Sequence, residues 1–354
     1  MLALLIDFPD ETVSDDPAWR DRRALAYDWY KKLLPAASEA GLERIELYGY
    51  RNVRANNADL PLQASRLHDL PDSADELPAG EPFAEIFART QLFLVPSRFS
   101  ATAPMKVMAR KYGFRGATMP GFTRDMVPAL ALDYQAINCR VEQLRDLVDR
   151  ATACEILFQV GEEEHRLTLD LRFREGHASG GLLTKPGTAG NLPSGETYIV
   201  PYEGEGEPSR SKGFLPVQFG DDVVLYRIEN NKAVEVLSEN PASTRERVKL
   251  AEEPAYGNLA ELGLGVLGDM GIEPIGVVLL DEKLGLHIAF GRSEHFGGQV
   301  GPSDFSSPEK VVHIDRVYLP QIQPEVEVRY VDLEMPEGAY HLMRDGRYLV
   351  TWDS

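Results

Sequence analysis

The sequence predicts an α/β fold in two parts, an N-terminal α/β domain with a mostly parallel sheet (residues 1–150) and a mainly β (α+β) domain (residues 151–354). Three observations carry this reading. Short apolar runs alternate with helical stretches through the first part, the pattern of parallel strands with helices on their faces. From Cys154 onward the periodicity falls to two, as in half-exposed strands. At 354 residues the chain is also too long for one small core.

Taken in order, Leu2 to Asp7 is an apolar run of the buried-strand type. Asp16-Pro17 supplies an N-cap with proline at the first helical position, and the helix runs through Trp19, Leu25 and Leu33 to stop near Gly41. Ile45 to Tyr48 predicts the next strand, and the polar stretch 54–82 an irregular excursion. A short helix over Phe83 to Arg89, a strand over Gln91 to Pro96, a helix from Pro104 to Lys111 ending at Gly113 and an extended Phe114 to Met119 complete the alternation. A helical stretch over 123–152 leads out of the domain. Strands are then expected near 155–160, 165–173, 197–202, 214–218, 222–228, 275–280, 310–318 and 326–332, with a hairpin turn at Asp345-Gly346.

The net charge of −19 repels phosphate backbones and anionic head groups, so no nucleic-acid or membrane partner is expected. Two cysteines, Cys139 and Cys154, with no Cys-x-x-Cys pairing, argue against a disulfide framework and a thiolate zinc site. The first residues lack a basic segment and turn acidic, and no apolar run approaches the roughly 18–20 residues that cross a bilayer. A cytoplasmic protein acting on a small molecule or peptide is the expectation.

Gly263-Leu-Gly265-Val-Leu-Gly268 matches G-x-G-x-x-G, but Asn258-Leu-Ala-Glu261 precedes it and Gly271 interrupts any following helix. It reads as a tight loop rather than a dinucleotide fingerprint. Histidine is more informative, with only seven in the chain. His313-Ile-Asp315 lies in an apolar β-run, and a spacing of two places imidazole and carboxylate on one face of the strand, where they can hold a divalent metal. The bland alternative is a structural His–Asp pair. His287 lies in a second apolar strand flanked by Gly285 and Gly291, where a buried core histidine is the alternative. His295 falls in a glycine-rich loop, free to face a substrate or simply solvent. Glu196 enters a strand from the Pro193-Ser-Gly195 turn, and Glu261 stands in an apolar setting before the glycine run.

Several ordered segments extend this set: Ala109-Arg-Lys-Tyr-Gly-Phe-Arg-Gly-Ala-Thr-Met-Pro-Gly121, Thr123-Arg-Asp-Met126, Asp133-Tyr134, Asn191-Leu-Pro-Ser-Gly-Glu196, Leu259-Ala-Glu261-Leu-Gly263, His287-Ile-Ala-Phe-Gly291 and His313-Ile-Asp315. Over roughly residues 90–318 they resemble the aminopeptidase T family of dinuclear metallopeptidases. The resemblance implies a metal-binding second domain with Glu196, Glu261, His287, His313 and Asp315 as ligands. It also implies two divalent ions (zinc, cobalt or manganese) per chain, cleavage of an N-terminal residue or small amide, and a homodimer. The family's tyrosine seven residues after the third-segment histidine is replaced here by Glu294. The candidate catalytic groups are therefore Glu261, with His295 or Arg292 in place of that phenol. The chain also resembles the 2,5-dihydroxypyridine dioxygenases of the same fold. That likeness implies one iron held by His313, Asp315 and another histidine.

Overall fold

The structure, a computed structural model, describes residues 1–352. The chain divides into two units, one of Met1–Leu132 with Gly181–Ser194, the other of Asp133–Gly180 with residues from Gly195 onward.

In the first unit the strand Leu2–Phe8 is buried at every position, as its unbroken apolar run requires. It pairs in parallel with Ile45–Arg51 on one side and Leu92–Val95 on the other. Arg115–Thr118 and Thr188–Asn191 extend the parallel part. Gln63–Leu67 and Glu81–Pro82 add an antiparallel edge inside the stretch expected to be irregular. Gln-Ala-Ser-Arg-Leu has no apolar alternation, so nothing local announced it. The helix Pro17–Ala36 starts as expected, the Trp19 amide donating to Asp16 at 2.8 Å. Thr102–Tyr112 ends at Gly113, whose φ of 78° closes the helix with a bond to the Ala109 carbonyl.

The expected 123–152 helix is broken. Arg124–Met126 is a 3₁₀ turn and Val127–Leu130 one short turn; the long helix, Tyr134–Arg150, begins only after Asp133, whose carboxylate accepts from the amides of Gln135 and Ala136. That cap marks the division between units, so the boundary lies at 132/133 rather than 150, and residues 181–194 return to the first unit.

The second unit holds two antiparallel sheets. One has eight strands, running in order Lys232–Val236, Asp222–Glu229, Lys212–Phe219, Glu163–Asp170, Ala153–Val160, Glu327–Met335, Gly338–Arg344 and Arg347–Tyr348. Its last turn is the expected hairpin, with Asp345 and Gly346 both at positive φ (47° and 71°). The other sheet has five strands in the order His313–Val317, Leu286–Gly291, Leu259–Gly265, Glu196–Ile199 and His177–Ser179. Two expectations fail here. Val278–Asp281 is a helical turn rather than a strand, and the glycines 263 and 265 lie in a buried strand rather than a loop. The helix Pro241–Glu252, capped by Asn240, was also unannounced. Among the described residues no helix is long and apolar enough to cross a membrane.

Candidate metal centre

The five-stranded sheet places every expected ligand on one face. Its register sets Glu196 opposite Gly265, Tyr198 opposite Gly263, Gly263 opposite His287, Glu261 opposite Ala289, Ala289 opposite Asp315 and Gly291 opposite His313. Residues opposite one another, or two apart on one strand, share a face. Donors therefore alternate with glycine and alanine, and the small residues leave room for the long side chains. Gly263 shows how tight the fit is: a Cβ there would stand 1.9 Å from His287 Nε2. The glycine clears the space that the imidazole fills.

The donor atoms converge. Glu261 Oε1 lies 3.3 Å from His287 Nε2, and its other oxygen, Oε2, lies 3.1 Å from His313 Nε2. Glu196 Oε2 is 3.5 Å from His287 Nε2, and Asp315 Oδ1 is 3.5 Å from His313 Nε2. Two groups with ligand atoms within 4.8 Å of one another result, Glu196–Glu261–His287 and Glu261–His313–Asp315. Each imidazole is oriented from behind, His313 Nδ1 standing 2.7 Å from the Arg292 carbonyl and His287 Nδ1 3.4 Å from that of Gly285. This turns both Nε2 atoms toward the carboxylates, an orientation common among metal-ligating histidines.

Electrostatics fit a cation. Burial alone would raise the Glu261 carboxyl, yet hydrogen bonds from His287 and His313 hold it well below the usual range. Burial would lower His287, but Glu261 and Glu196 push it up to about 9, and His313 is likewise raised, by Asp315 and Glu261. Glu196 Oε2, buried, has no hydrogen-bond partner among the described residues. An orphaned carboxylate oxygen beside a second carboxylate and an imidazole is what a divalent ion satisfies. The donor set, nitrogen and carboxylate oxygen without thiolate, suits zinc, cobalt, manganese or ferrous iron.

Two residues of the site were missed by sequence reasoning. Lys283 is 2% exposed, its ammonium donating to Glu196 Oε1 and to Glu282 Oε1. Despite burial, these two carboxylates keep it charged, well above the ordinary lysine range. Tyr198 follows Glu196 by two on the same strand, and that spacing was the signal that could have found it. Its phenol is raised by burial and by the charges of Glu261 and Glu196, so it stays a hydrogen-bond donor. The ring packs between His177 (5.1 Å) and Phe296 (4.7 Å).

The loop after His287 carries the other candidates. Glu203 anchors it, accepting from Ser293 Oγ at 2.5 Å and from Asn258 Nδ2 at 2.7 Å. His295 stacks on Phe296 at 3.9 Å and meets the His313 ring edge-on at 5.2 Å, which places it beside the ligand cluster. Although His295 is exposed, partial desolvation by these neighbours, then the charges of His313 and Arg292, push its imidazole down to about 4, so it is neutral at pH 7. Arg292 is arranged differently from the expectation. Its guanidinium is forked onto Glu294 at 2.7 and 2.8 Å, and its part in the cluster is the carbonyl behind His313. His341 lies apart, paired with Asp332 and Arg344.

No family profile and no curated protein sequence matches the chain. Solved structures do. The 2,5-dihydroxypyridine dioxygenase from Pseudomonas putida KT2440 matches over 99% of this chain and 92% of its own, at 13% identity and a TM-score of 0.60. AmpT from Thermus thermophilus matches over 98% of this chain and 94% of its own, at 17% identity and a TM-score of 0.54. The two families whose motifs the sequence resembles are thus represented among the structures that share its fold.

Proposed function

We propose that this chain is a metal-dependent amide hydrolase of the aminopeptidase type, with two divalent ions held by Glu196, Glu261, His287, His313 and Asp315. The observation that carries the reading is the division of Glu261: one oxygen faces His287 and Glu196, the other faces His313 and Asp315. A carboxylate used from both sides is the arrangement of a bridging ligand, and a one-metal centre has no need of it. When bound, such a pair of ions supplies Lewis-acid polarisation of a carbonyl and acidifies a water molecule.

The protein's own groups supply the rest. Glu196, Glu261 and Asp315 would offset the charge of two dications, and Glu261, with both oxygens engaged and its carboxyl held low, serves as a ligand rather than as the proton acceptor that its position suggested. Tyr198 and neutral His295 are donors beside the cluster that would serve a developing oxyanion, in place of the phenol that Glu294 lacks. A substrate entering beside His295 meets the rings of Phe296 and Tyr198, apolar surface suited to the side chain of an N-terminal residue.

A second reading has its own support. His287, His313 and Asp315 come from adjacent strands and offer two imidazoles and one carboxylate, the set of a mononuclear ferrous oxygenase. The fold shared with a dioxygenase agrees with it. One screen separates the two: leucyl and aryl amides with zinc, cobalt or manganese, beside dihydroxypyridines with ferrous iron under an oxygen electrode. Amide cleavage without oxygen uptake is expected. Iron-dependent oxygen uptake with no amide cleavage under any metal would overturn the hydrolase and establish the oxygenase.

A further inference from the structure

Lysine is almost never fully buried unless paired, and a buried lysine inside a carboxylate cluster calls for an account. Lys283 is one. Its ammonium occupies Glu196 Oε1, while the other oxygen of that carboxylate, 3.5 Å from His287 Nε2, has no hydrogen-bond partner among the described residues. The backbone of the lysine is fixed beside the site. Its carbonyl accepts from the Leu267 amide at 2.8 Å, and its backbone crosses so close to Gly265, the residue opposite Glu196, that a Cβ there would lie 2.1 Å from the Lys283 carbonyl carbon. The other half of the centre has no such cation. Among the described residues the ion pairs of Glu261 and Asp315 are with histidines. A histidine proton gives way to a metal, whereas a lysine ammonium persists at neutral pH.

Resting on the two-ion reading, we propose that Lys283 is a resident cation of the centre: it neutralises Glu196 when no metal is bound, and it makes the Glu196–Glu261–His287 position the weaker, exchangeable one. Three consequences follow from its placement. It leaves Glu196 one oxygen to offer, so that ligand is monodentate. It sets a fixed positive charge one carboxylate away from the incoming dication, and like charges at that range inside a protein repel strongly. It also keeps buried Glu196 and half-buried Glu282 compatible with a folded metal-free chain. The Glu261–His313–Asp315 position, without these restraints, fills first.

The test is calorimetric titration of chelator-treated protein with zinc, with bound metal counted by mass spectrometry, for the wild type, Lys283→Met, Lys283→Gln and Lys283→Arg. The expected wild-type curve shows one tight ion and a second bound at least about tenfold more weakly. Both neutral variants should tighten the second ion by about tenfold or more, and Lys283→Arg should follow the wild type. Melting curves provide an independent readout. The neutral variants should melt lower than the wild type without metal and gain more from zinc, because the ion then does what the ammonium did. If one neutral variant does not fold, the other carries the comparison. Two ions bound with unchanged affinities in every variant would overturn the role of Lys283 and leave the two-ion centre standing. Loss of the second ion in the neutral variants would overturn it too, reducing Lys283 to a prop for Glu196. A single ion in the wild type and in both neutral variants would remove the proposal together with the two-ion reading.

Discussion

Replacing Gly263 with alanine tests the site through a residue that ligates nothing. The added Cβ would stand 1.9 Å from His287 Nε2, 2.1 Å from Cε1 and 2.5 Å from Cδ2, where ordinary contact begins at 3.4 Å. The ring must retreat by about 1.5 Å, far outside the roughly 0.2 Å within which metal–ligand distances hold. His287 is fully buried, so its retreat strains the sheet at about 1–3 kcal/mol. For zinc binding at the position His287 serves, displacement of a ligand should exceed the ~10–100-fold loss that follows from disturbing a ligand's supporting partner. The assay pairs zinc calorimetry with melting of the metal-free chain. A folded Gly263→Ala protein that binds fewer ions, or binds one far more weakly, is the expected result. Gly265→Ala is the contrast: its Cβ meets unyielding backbone at Lys283, so it should lower stability more than it selectively alters the site. Unchanged affinity for both ions in Gly263→Ala would refute the placement of His287 in the centre.

Other expectations follow from the same geometry. Glu261→Gln should weaken both ions, because both carboxylate oxygens are engaged, whereas His287→Ala and Asp315→Ala should each weaken one; metal counting distinguishes these patterns. In the metal-free chain the His287 imidazole is raised from 6.5 to about 9, so its stabilising contribution is present in full below pH 6.5 and lost as pH rises through 9. Melting temperature of chelator-treated protein should show that decline and His287→Ala should show a smaller one, since His313 is raised likewise, while zinc binding at pH 7 should release protons measurable by calorimetry in buffers of different ionisation heat. His295→Ala or Tyr198→Phe should lower kcat by about 10²–10³ with little change in KM, whichever residue serves the oxyanion, and His341→Ala should leave both constants as they were. Small, equal effects from His295→Ala and Tyr198→Phe would exclude both donors.

The candidate ligands were legible because strand periodicity is local. His313 and Asp315 announce their shared face by a spacing of two, and Glu196 and His287 stand in apolar runs that have no other use for a charge. What sequence spacing does not carry is which strand lies beside which. Gly263 and Gly265 looked like a loop because the imidazole and the backbone that need their missing side chains arrive some twenty residues later. Nothing local in Asp281-Glu282-Lys283 marks Lys283 for burial, which comes from packing against the 259–265 strand. Arg292 was legible as a cation near the site, but the fork onto Glu294 depends on a local turn that composition does not specify. In the first unit the parallel core was readable from apolar runs, and the antiparallel edge, built from polar residues, was not.

The excursion at 181–194 reaches beyond the fold. Its strand, Thr188–Asn191, completes the first unit's sheet beside Arg115–Thr118, although the chain on either side of it, His177–Ser179 and Glu196–Ile199, builds the other unit. No single cut in the gene therefore yields two self-sufficient products. A fragment ending at 132 would leave the 115–118 strand as a raw edge, and a fragment starting at 133 would carry an orphan strand inserted directly before Glu196. Recombination that exchanges whole modules would have to break the chain at three places at once. The candidate ligand at 196 is thereby tied, in inheritance as in connectivity, to a unit from which none of the proposed ligands comes.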